Sequence, residues 1–478
     1  MQDVISFVLN GQRRQIRFGH EHQPTDTVLN YLRNQPGTKG VKEGCAEGDC
    51  GACTLMLAEL NGDQLQYKAV DSCLIFLPML QGKHLVTVEY LGKQKQGETE
   101  LHPVQEALVE ANGSQCGYCT PGIVMSMATL YKKGKQVEKE EVEDALTGNL
   151  CRCTGYKPII DACMKSCQHI SEDVVDEQAD QVISLLKDIK VEARSIEIRT
   201  EKQQYFQPKT LEEALDLKVR FPDAYILNGA TDIALLVTKR HLLLETCIDL
   251  SGIDLLRTIE ISGDYLEFGA SVSLERMKGV CQESFPAMHD LLAVFGSRQI
   301  REMATIGGNI GSSSPISDSL PLLFVSEAEV QLTSSKGSRW VNMNDYITGY
   351  RQTVRQPDEL ITRVRIPKNS DGVVMKFYKV SKRKDLDIST ASAAFSLQLE
   401  GDQVSNIKMA YGGMAAQCLR VPEAEQYLIG KTWERKEVEA AMQMIAAKFT
   451  PLSDARSGAE FRTSVAQKLL LKFWSEHA

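Results

Sequence analysis

The sequence predicts a multidomain α+β protein, and three observations support this fold class. The chain has 478 residues, too many for one hydrophobic core, so two to four domains are expected. Eight of its 13 cysteines lie in two tight groups before residue 154, the first among strand-like and the second among helix-like segments. From about residue 200 strands and helices alternate, and residues 372–478 read as strands followed by helices.

The composition is that of an ordinary globular protein, with 43% hydrophobic residues, 24% charged residues and a net charge of −9. This charge argues against a broad nucleic-acid interface, which would be basic. No apolar run is long enough to span a bilayer, and "MQDVISFVLNGQRRQIRF" alternates like a strand, unlike a secretion signal. We therefore expect a cytoplasmic protein without nucleic-acid or membrane partners, in which clustered cysteines bind metal.

The first cysteine group lies in "CAEGDCGACTLML", where Cys45, Cys50 and Cys53 follow a C-x4-C-x2-C spacing and Cys73 supplies a fourth thiol. This spacing is typical of a plant-type [2Fe-2S] loop, and the glycines between the cysteines let the backbone wrap a cluster. Four cysteines also suit zinc, although zinc sites usually pair two C-x2-C turns.

The segments around this loop predict a β-grasp [2Fe-2S] ferredoxin domain. The stretch "VISFVLNGQRRQIRF" reads as strand, Asn-Gly turn and strand. The stretch "TDTVLNYLRNQ" reads as a helix with Thr25 or Asp26 as its N-cap. The segments "TLMLAEL" and "HLVTVEYL" add further strands to a small mixed sheet.

The second cysteine group combines Cys116 and Cys119, spaced C-x2-C, with Cys151 and Cys153, spaced C-x-C, after a gap of 31 residues. Each pair precedes a helix with proline in its first turn, which is a favourable position. The segments "PVQEALVEAN" and "KEEVEDALTGN" read as two more helices. This repeat predicts a four-helix [2Fe-2S] bundle that holds a cluster between its two cysteine turns. We expect the other five cysteines to be small buried hydrophobic residues.

Two small-residue loops follow in the α/β region. The segment "AYILNGATDIALLVTK" reads as strand, glycine turn and helix, which aims backbone N–H groups at a phosphate. In "MATIGGNIGSSSPISD", two glycines, an asparagine and a serine run form the second loop. By itself the second pattern also fits a tight turn under a helix.

The segments "SQCGYCTPG" and "GNLCRCTGY" resemble the second iron–sulfur domain of the molybdenum hydroxylases. The later segments resemble the FAD domain of that family, an α/β domain of the vanillyl-alcohol-oxidase type, followed by its C-terminal α+β flavoprotein domain. We therefore predict five segments: 1–91, the plant-type [2Fe-2S] ferredoxin domain; 92–167, the helical [2Fe-2S]-binding domain; 168–197, an ordered linker; 198–371, the FAD-binding domain; and 372–478, the flavoprotein C-terminal domain.

The resemblance implies roles for individual residues. Gln115, just before a cysteine ligand, would contact molybdopterin, although a surface cap is the alternative. The first loop would hold the FAD pyrophosphate, the second the phosphate and ribitol, and further residues the sugar, adenine and flavin. These FAD contacts are Leu227, Asn228, Gly229, Ala230, Thr231, Asp232, Ile233, Phe295, Thr305, Gly307, Gly308, Asn309, Ser314, Asp318, Ile361 and Lys379.

One position departs from the family pattern. Vertebrate members place an acidic residue beside the flavin ring, whereas the matching position here is Leu386, between Asp385 and Asp387. The identity of a flavin-side acid therefore stays open.

The resemblance also implies a function. Iron–sulfur and flavin parts are fused here and no molybdenum part is present, as in the small subunit of bacterial xanthine dehydrogenases. Electrons from hypoxanthine or xanthine, oxidised to urate on a large molybdopterin subunit, would pass through two [2Fe-2S] clusters to FAD and then NAD+. A heterotetramer of two small and two large subunits is expected. We predict no catalytic side chain in this chain, because its cysteines are ligands.

Two other functions are consistent with the same motifs. One is the same role in another molybdenum hydroxylase that oxidises an aldehyde or an N-heterocycle, because substrate choice would reside in the partner chain. The other is a stand-alone iron–sulfur flavoprotein reductase, or a non-catalytic metal-bound scaffold. A scaffold would not explain two cluster spacings together with two flavin-type loops.

Overall fold

The computed structural model describes residues 3–95, 98–192, 194–368 and 372–478, so the predicted domain boundary at 371 lies outside the described residues. Within the described part, no helix is both long and apolar enough to cross a bilayer.

The chain forms two compact units, each of which is built from segments that are not consecutive in the sequence. The first unit comprises Met1–Ala214, Asp223–Ile253 and Ser297–Ala304, and the second comprises Leu215–Pro222, Asp254–Gly296 and Thr305–Ala478.

The N-terminal sheet of the first unit is mixed and carries one helix. Its elements are β1 (Val4–Leu9), β2 (Gln12–Arg17), α1 (Val28–Asn34), β3 (Thr54–Asn61), β4 (Gln64–Asp71) and β5 (His84–Val86). The strand order is β2-β1-β5-β3-β4, with β1 and β5 parallel and the other pairs antiparallel. The turn at Asn10 and Gly11 has φ values of 50° and 75°, as an Asn-Gly hairpin requires.

Helix α1 is capped by Thr27, whose hydroxyl accepts from an amide of the first turn, so the predicted caps Thr25 and Asp26 are wrong. Asp26 instead accepts from the Gln23 amide at 2.8 Å. The Thr25 hydroxyl accepts from the Gln203 side chain at 2.9 Å. Both predicted caps are therefore engaged by partners outside the helix.

Four helices of the first unit enclose a second apolar core. Two short strands precede them, and the elements are β6 (Lys93–Lys95), β7 (Glu98–Glu100), α2 (Pro103–Glu110), α3 (Thr120–Tyr131), α4 (Lys139–Leu146) and α5 (Lys157–Ser166). Helix α2 packs on α3 and α5, and α4 packs on the same two helices. Proline lies in the first turn of α2, α3 and α5, as the sequence indicates. The cysteine turns precede α3 and α5.

The predicted linker contains α6 (Val174–Glu177) and α7 (Ala179–Glu192), and it is held firmly against the first unit. Helix α7 buries Val182 and other apolar side chains against Val8 of β1. Asp173, just before α6, is buried and contacts His102 Nε2 at 2.8 Å and Lys132 Nζ at 2.6 Å. These contacts tie the segment to α2 and to the end of α3.

A small, mostly parallel sheet completes the first unit. Its region contains β8 (Ile196–Arg199), β9 (Gln204–Gln207), α8 (Leu211–Arg220), β10 (Tyr225–Leu227), α9 (Ala234–Thr238) and β11 (Thr246–Asp249). The strand order is β10-β11-β9-β8, and only β8 runs antiparallel. The first predicted FAD loop follows β10 at its carboxyl end.

The second unit contains an antiparallel five-stranded sheet with order β12-β13-β18-β14-β15 and flanking helices. One intervening helix, α12, belongs to the first unit. The elements in chain order are β12 (Ile259–Ser262), β13 (Tyr265–Gly269), α10 (Leu274–Ser284), α11 (Pro286–Ala293), α12 (Arg298–Met303), α13 (Ile306–Ser312), α14 (Ser319–Val325), β14 (Glu329–Ser334), β15 (Gly337–Asn342), α15 (Met343–Tyr346), β16 (Ile347–Gly349), β17 (Gln352–Thr353) and β18 (Leu360–Pro367).

The C-terminal part of the second unit is an antiparallel meander covered by helices. Its elements are β19 (Val373–Val380), β20 (Ala391–Glu400), β21 (Gln403–Gly412), β22 (Leu419–Arg420), α16 (Pro422–Leu428), α17 (Arg435–Lys448) and α18 (Ala459–Glu476). The rings of Phe395 on β20 and Phe473 on α18 stack with centroids 5.0 Å apart. This core joins sheet and helices, as expected for this region.

Candidate redox centres and flavin loops

The first cysteine group forms a compact quartet. Cys53 Sγ and Cys73 Sγ lie 3.4 Å apart, and the side chains of Cys45 and Cys50 hydrogen-bond each other. The backbone between them uses left-handed values at Ala46, Gly48 and Gly51. These conformations explain why glycine recurs in the loop and why four sulfurs from separate elements converge.

Backbone amides stabilise negative charge at this quartet. Cys45 Sγ accepts from the amides of Glu47 at 3.4 Å and Asp49 at 3.3 Å. The Cys50 thiol, together with these amides, lowers the pKa of Cys45 to about 5 although burial opposes the shift. Burial, with added repulsion from Cys45, raises the pKa of Asp71 to about 8. Four crowded sulfur atoms with amides aimed at one of them fit a group that brings positive iron.

The second cysteine group also forms two pairs. Cys119 hydrogen-bonds Cys151, and Cys116 hydrogen-bonds Cys153. Burial, followed by the bond to Cys151, raises the pKa of Cys119 to about 12. Cys151 Sγ lies 3.3 Å from the Thr154 hydroxyl. The turns before α3 and α5 therefore bring all four predicted ligands together.

The second quartet is more exposed than the first, in which Cys45 and Cys50 are half-buried and the other two cysteines are buried. Cys116 and Cys153 are exposed, and so is Gln115. Tyr118 and Tyr156 add large exposed rings, at 48% and 38%. Two cysteine ligands, two tyrosine rings and Gln115 are therefore exposed together on this side of the first unit.

Both quartets consist of sulfur pairs. Within the described ranges, no group of three or more Cys, His, Asp or Glu side chains is arranged to hold a metal ion. In a [2Fe-2S] cluster each iron takes two thiolates, so paired sulfurs suit it better than they suit one tetrahedral zinc. The other five cysteines, Cys163, Cys167, Cys247, Cys281 and Cys418, are all buried, as expected for small hydrophobic residues.

The first predicted FAD loop, Leu227 to Ile233, lies in the first unit at the carboxyl end of a parallel strand, where α/β sheets commonly bind ligands. Gly229 and Ala230 have φ values of 89° and 62°. A Cβ on Gly229 would collide with the Met303 carbonyl. A backbone packed this closely, without a side chain at its bend, fits contact with a pyrophosphate.

The second predicted FAD loop, in the second unit, begins helix α13. The Thr305 hydroxyl accepts from the Gly308 amide at 3.1 Å, and Gly307 packs so closely on Ala270 that a side chain would not fit. Asn309 Oδ1 accepts from Ser317 at 2.7 Å. The loop forms the N-cap and first turn of α13. This geometry fits both alternatives from the sequence, a tight turn under a helix and a loop that contacts FAD.

The remaining predicted FAD residues lie elsewhere in the second unit. Ile361 on β18 packs against α13, Phe295 is half-buried after α11, and Ser314 lies in the turn after α13. Asp318 and Lys379 form a buried ion pair, 2.9 Å between Oδ2 and Nζ. The first loop belongs to the first unit and these residues to the second, and their role as FAD contacts stays a prediction.

Ser389 is a site residue that the sequence did not predict. Its hydroxyl donates to Asp318 Oδ1 at 2.5 Å. It lies directly after the segment with the family departure, in which Leu386 has a φ of 67° and Asp387 accepts from the Arg383 amide at 2.7 Å. A lone serine carries no spacing signal, so only the fold could reveal it.

Comparisons with known proteins agree with this architecture. Three family models match: the [2Fe-2S] binding domain over residues 87–164, the FAD binding domain in molybdopterin dehydrogenase over 197–369, and the CO dehydrogenase flavoprotein C-terminal domain over 376–477. Xanthine dehydrogenase of Emericella nidulans is 31% identical over 533 residues, covering 99% of this chain and 38% of that protein. Xanthine dehydrogenase 1 of Arabidopsis thaliana is 31% identical, covering 98% and 39%.

Solved structures of the same kind are also similar. Carbon monoxide dehydrogenase of Hydrogenophaga pseudoflava matches with a TM-score of 0.54 and 27% identity, covering 56% of this chain and 94% of that chain. Quinoline 2-oxidoreductase of Pseudomonas putida 86 matches with a TM-score of 0.53 and 25% identity, covering 57% and 96%. The chain spans about two fifths of the length of the curated relatives it matches.

The predicted fold class is confirmed: a multidomain α+β chain with [2Fe-2S], FAD-binding and C-terminal flavoprotein domains. The chain thus combines a [2Fe-2S] domain, an FAD-binding domain of the kind found in molybdopterin dehydrogenases and a CO dehydrogenase-type flavoprotein C-terminal domain, and it is homologous to the N-terminal region of xanthine dehydrogenases.

Proposed function

We propose that the chain is the electron-transfer and NAD-reducing small subunit of a xanthine dehydrogenase. Its partner is a large molybdopterin subunit that oxidises hypoxanthine and xanthine to urate, in a cytoplasmic heterotetramer of two small and two large subunits. The observation that carries the proposal is the pair of sulfur quartets within one compact unit. The amide of Leu150, next to a ligand of one quartet, donates to the carbonyl of Cys50 in the other at 3.0 Å.

The chain's own residues hold the redox groups. Two [2Fe-2S] clusters carry single electrons when bound, and FAD joins one-electron transfer to two-electron hydride transfer to NAD+. Amides of the first loop stabilise charge on Cys45, while Asp318 and Lys379 build a fixed polar wall for the flavin end of the second unit. The cluster ligands are Cys45, Cys50, Cys53 and Cys73, and Cys116, Cys119, Cys151 and Cys153.

The difference in exposure supports the order of the clusters that the family resemblance implies. The second quartet has exposed sulfur ligands and an exposed Gln115 beside them, so we propose that the molybdopterin subunit docks there. The first quartet is more deeply enclosed, with Cys53 and Cys73 at 2% and 1% exposed. We place it on the flavin side.

The function is tested on the native complex. Iron, molybdenum and FAD per small chain are measured, and xanthine-dependent NAD+ reduction is assayed. We expect about four irons and one FAD per small chain with the two-cluster assignment. A complex with these groups that turns over no purine would contradict the substrate.

Another substrate class is favoured by one observation. The likeness to quinoline 2-oxidoreductase makes an N-heterocycle the second candidate, because this chain's electron-transfer role would be the same. Parallel assays of xanthine, quinoline and an aldehyde on the same complex separate the candidates. Retained clusters without any partner protein would instead indicate a stand-alone flavoprotein reductase.

A further inference from the structure

A buried polar cluster lies between the two cysteine-bearing loops of the first unit. We call it the amide bridge and define it as Ser126, Asn149 and Gln299, which are 1%, 3% and 1% exposed. Ser126 lies on α3 after one cysteine turn, and Asn149 lies two residues before the next ligand pair. Gln299 comes from α12, far away in sequence.

The hydrogen bonds of the bridge reach both loops. Asn149 Nδ2 donates to the Gly51 carbonyl at 3.0 Å, inside the loop of the first quartet. Asn149 Oδ1 accepts from the Ser126 hydroxyl at 2.6 Å and from Gln299 Nε2 at 3.0 Å. One asparagine therefore joins a ligand loop of each quartet to a third element.

Three glycines allow this close approach. A Cβ on Gly51 would collide with the Gly148 carbonyl, and one on Gly122 would collide with the Gly51 carbonyl. A Cβ on Gly148 would collide with the Gln299 side chain. Each glycine lies within three residues of a cysteine ligand, so the contact holds the ligand backbones themselves.

Helix α12 is anchored firmly enough to hold the bridge. Arg301, fully buried, contacts Asp144 Oδ1 of α4 at 2.5 Å. On the other side, a Cβ on Gly48 would lie 2.8 Å from Ile300 Cδ1, so α12 also abuts the loop of the first quartet. One short helix thus touches both ligand regions.

Packing alone does not account for the glutamine. Gln299 Oε1 is buried and has no hydrogen-bond partner in the part of the chain that the structure describes. A buried acceptor without a partner is destabilising, and a leucine of similar size would avoid this cost. What the amide supplies is its donor, because Gln299 Nε2 donates to Asn149 Oδ1, to the Ser126 hydroxyl and to the Ala145 carbonyl.

We propose that the amide bridge sets the separation and orientation of the two clusters, with Asn149 and Gln299 as positioning residues for electron transfer between them. The inference rests on the proposed function and adds the residues that fix the geometry of its central step. When bound, one cluster would be held by Cys116, Cys119, Cys151 and Cys153 and the other by Cys45, Cys50, Cys53 and Cys73. The two would supply single-electron exchange, and the amide bridge would undergo no change of proton or bond.

The test compares Gln299→Leu with the unmodified holoprotein. Both clusters are reduced with dithionite and their magnetic interaction is measured by low-temperature electron paramagnetic resonance. Electron exchange between the clusters is followed by freeze-quench. We expect about four irons per chain to remain, the magnetic splitting to change at least twofold, and exchange to slow roughly 10-fold.

A matched control is Gln203→Leu, which removes another buried glutamine of the same unit. Gln203 hydrogen-bonds Thr25 and the Leu244 carbonyl, outside the cysteine loops. We expect Gln203→Leu to leave the magnetic splitting and the electron exchange unchanged, because its contacts do not reach the cysteine loops. The control thereby separates the loss of a buried amide from the loss of the amide bridge. An equal effect of both variants would overturn the inference.

The remaining outcomes are also decisive. Full iron with unchanged splitting in Gln299→Leu overturns the bridge while leaving the proposed function intact. If Gln299→Leu loses iron, the milder variant Ser126→Ala, which removes one hydroxyl of the bridge, is measured instead. A change in its magnetic splitting, smaller than that expected for Gln299→Leu, supports the inference, and an unchanged splitting overturns it. Fewer than about four irons in the unmodified protein overturns the proposed function, and this inference with it.

Discussion

Lys379 Nζ lies 2.9 Å from Asp318 Oδ2, and the two side chains are only 6% and 8% exposed. The same ammonium donates to the Val294 carbonyl at 3.0 Å, and Ser389 donates to the other carboxylate oxygen. Burying an ion pair carries a desolvation cost that these hydrogen bonds offset, whereas the loss of one partner leaves an isolated buried charge.

Removing one charge of this pair is expected to be costly. Asp318→Asn leaves the Lys379 ammonium buried without its counter-ion, which should destabilise the second unit by about 3 kcal/mol and reduce bound FAD. Urea unfolding and flavin content measure the two effects. The exposed pair of Arg435 and Glu439 gives the control, because Glu439→Gln should cost less than about 0.5 kcal/mol. Equal effects of the two variants would contradict the assigned role.

Replacing a ligand cysteine of one quartet is expected to halve the iron content per chain, because only the cluster of that quartet is lost. Cys53→Ser removes one thiolate of the first quartet, so iron should fall from about four to about two per chain while the second cluster remains. Cys119→Ser should remove the other half. Iron analysis with visible circular dichroism measures both. Cys281→Ala, at a buried cysteine of the second unit, should leave iron unchanged.

The first flavin loop is expected to tolerate no side chain at its bend. Gly229→Ala combines a φ of 89° with a collision against the Met303 carbonyl, so bound FAD should fall at least about tenfold. Gly62→Ala, at a hairpin with a φ of 60° and open space, isolates the conformational penalty of about 1 kcal/mol. Normal flavin content in Gly229→Ala would show that this loop does not contact the cofactor.

Stability of the first unit is expected to depend on pH through His84. Burial lowers the pKa of His84 to about 4, whereas in the unfolded chain it is about 6.5. Between these values the unfolded chain binds a proton that the folded chain does not. Stability is therefore lost as the pH falls from about 6.5 to 4, by about 3 kcal/mol.

His84→Leu should remove this dependence. Urea unfolding at several pH values gives the free energy of unfolding of the parent and of the variant. The difference between these two free energies should change by about 3 kcal/mol between pH 7 and pH 4. Cluster loss in acid affects both proteins and cancels in the difference. Two parallel curves would mean that His84 does not titrate in this range.

The sequence predicted those parts of the site that depend on local spacing. Cysteines a few residues apart must share a turn, and C-x2-C with C-x-C before proline-started helices left little choice of architecture. The flavin loops were predicted from the family resemblance, because glycines and small residues alone also fit a tight turn under a helix, and their contact with FAD stays a prediction.

Long-range relationships were beyond reach. Gln299 meets Asn149 across a separation of 150 residues, and neither lies in a motif. Of the two wrongly predicted caps, Asp26 accepts from Gln23 in a local turn, whereas Thr25 binds Gln203, which is distant in sequence and could not be inferred from the local pattern. Likewise, nothing in the local pattern of α12 shows that it folds with the first unit.

The interleaved placement of Ser297–Ala304 has a consequence for synthesis. Residues 254–296, which are part of the second unit, are synthesised before Ser297–Ala304, the last segment of the first unit. Folding of the first unit during synthesis is thus interrupted. A gene cut at residue 197 would encode the cysteine loops without α12, which packs against both of them.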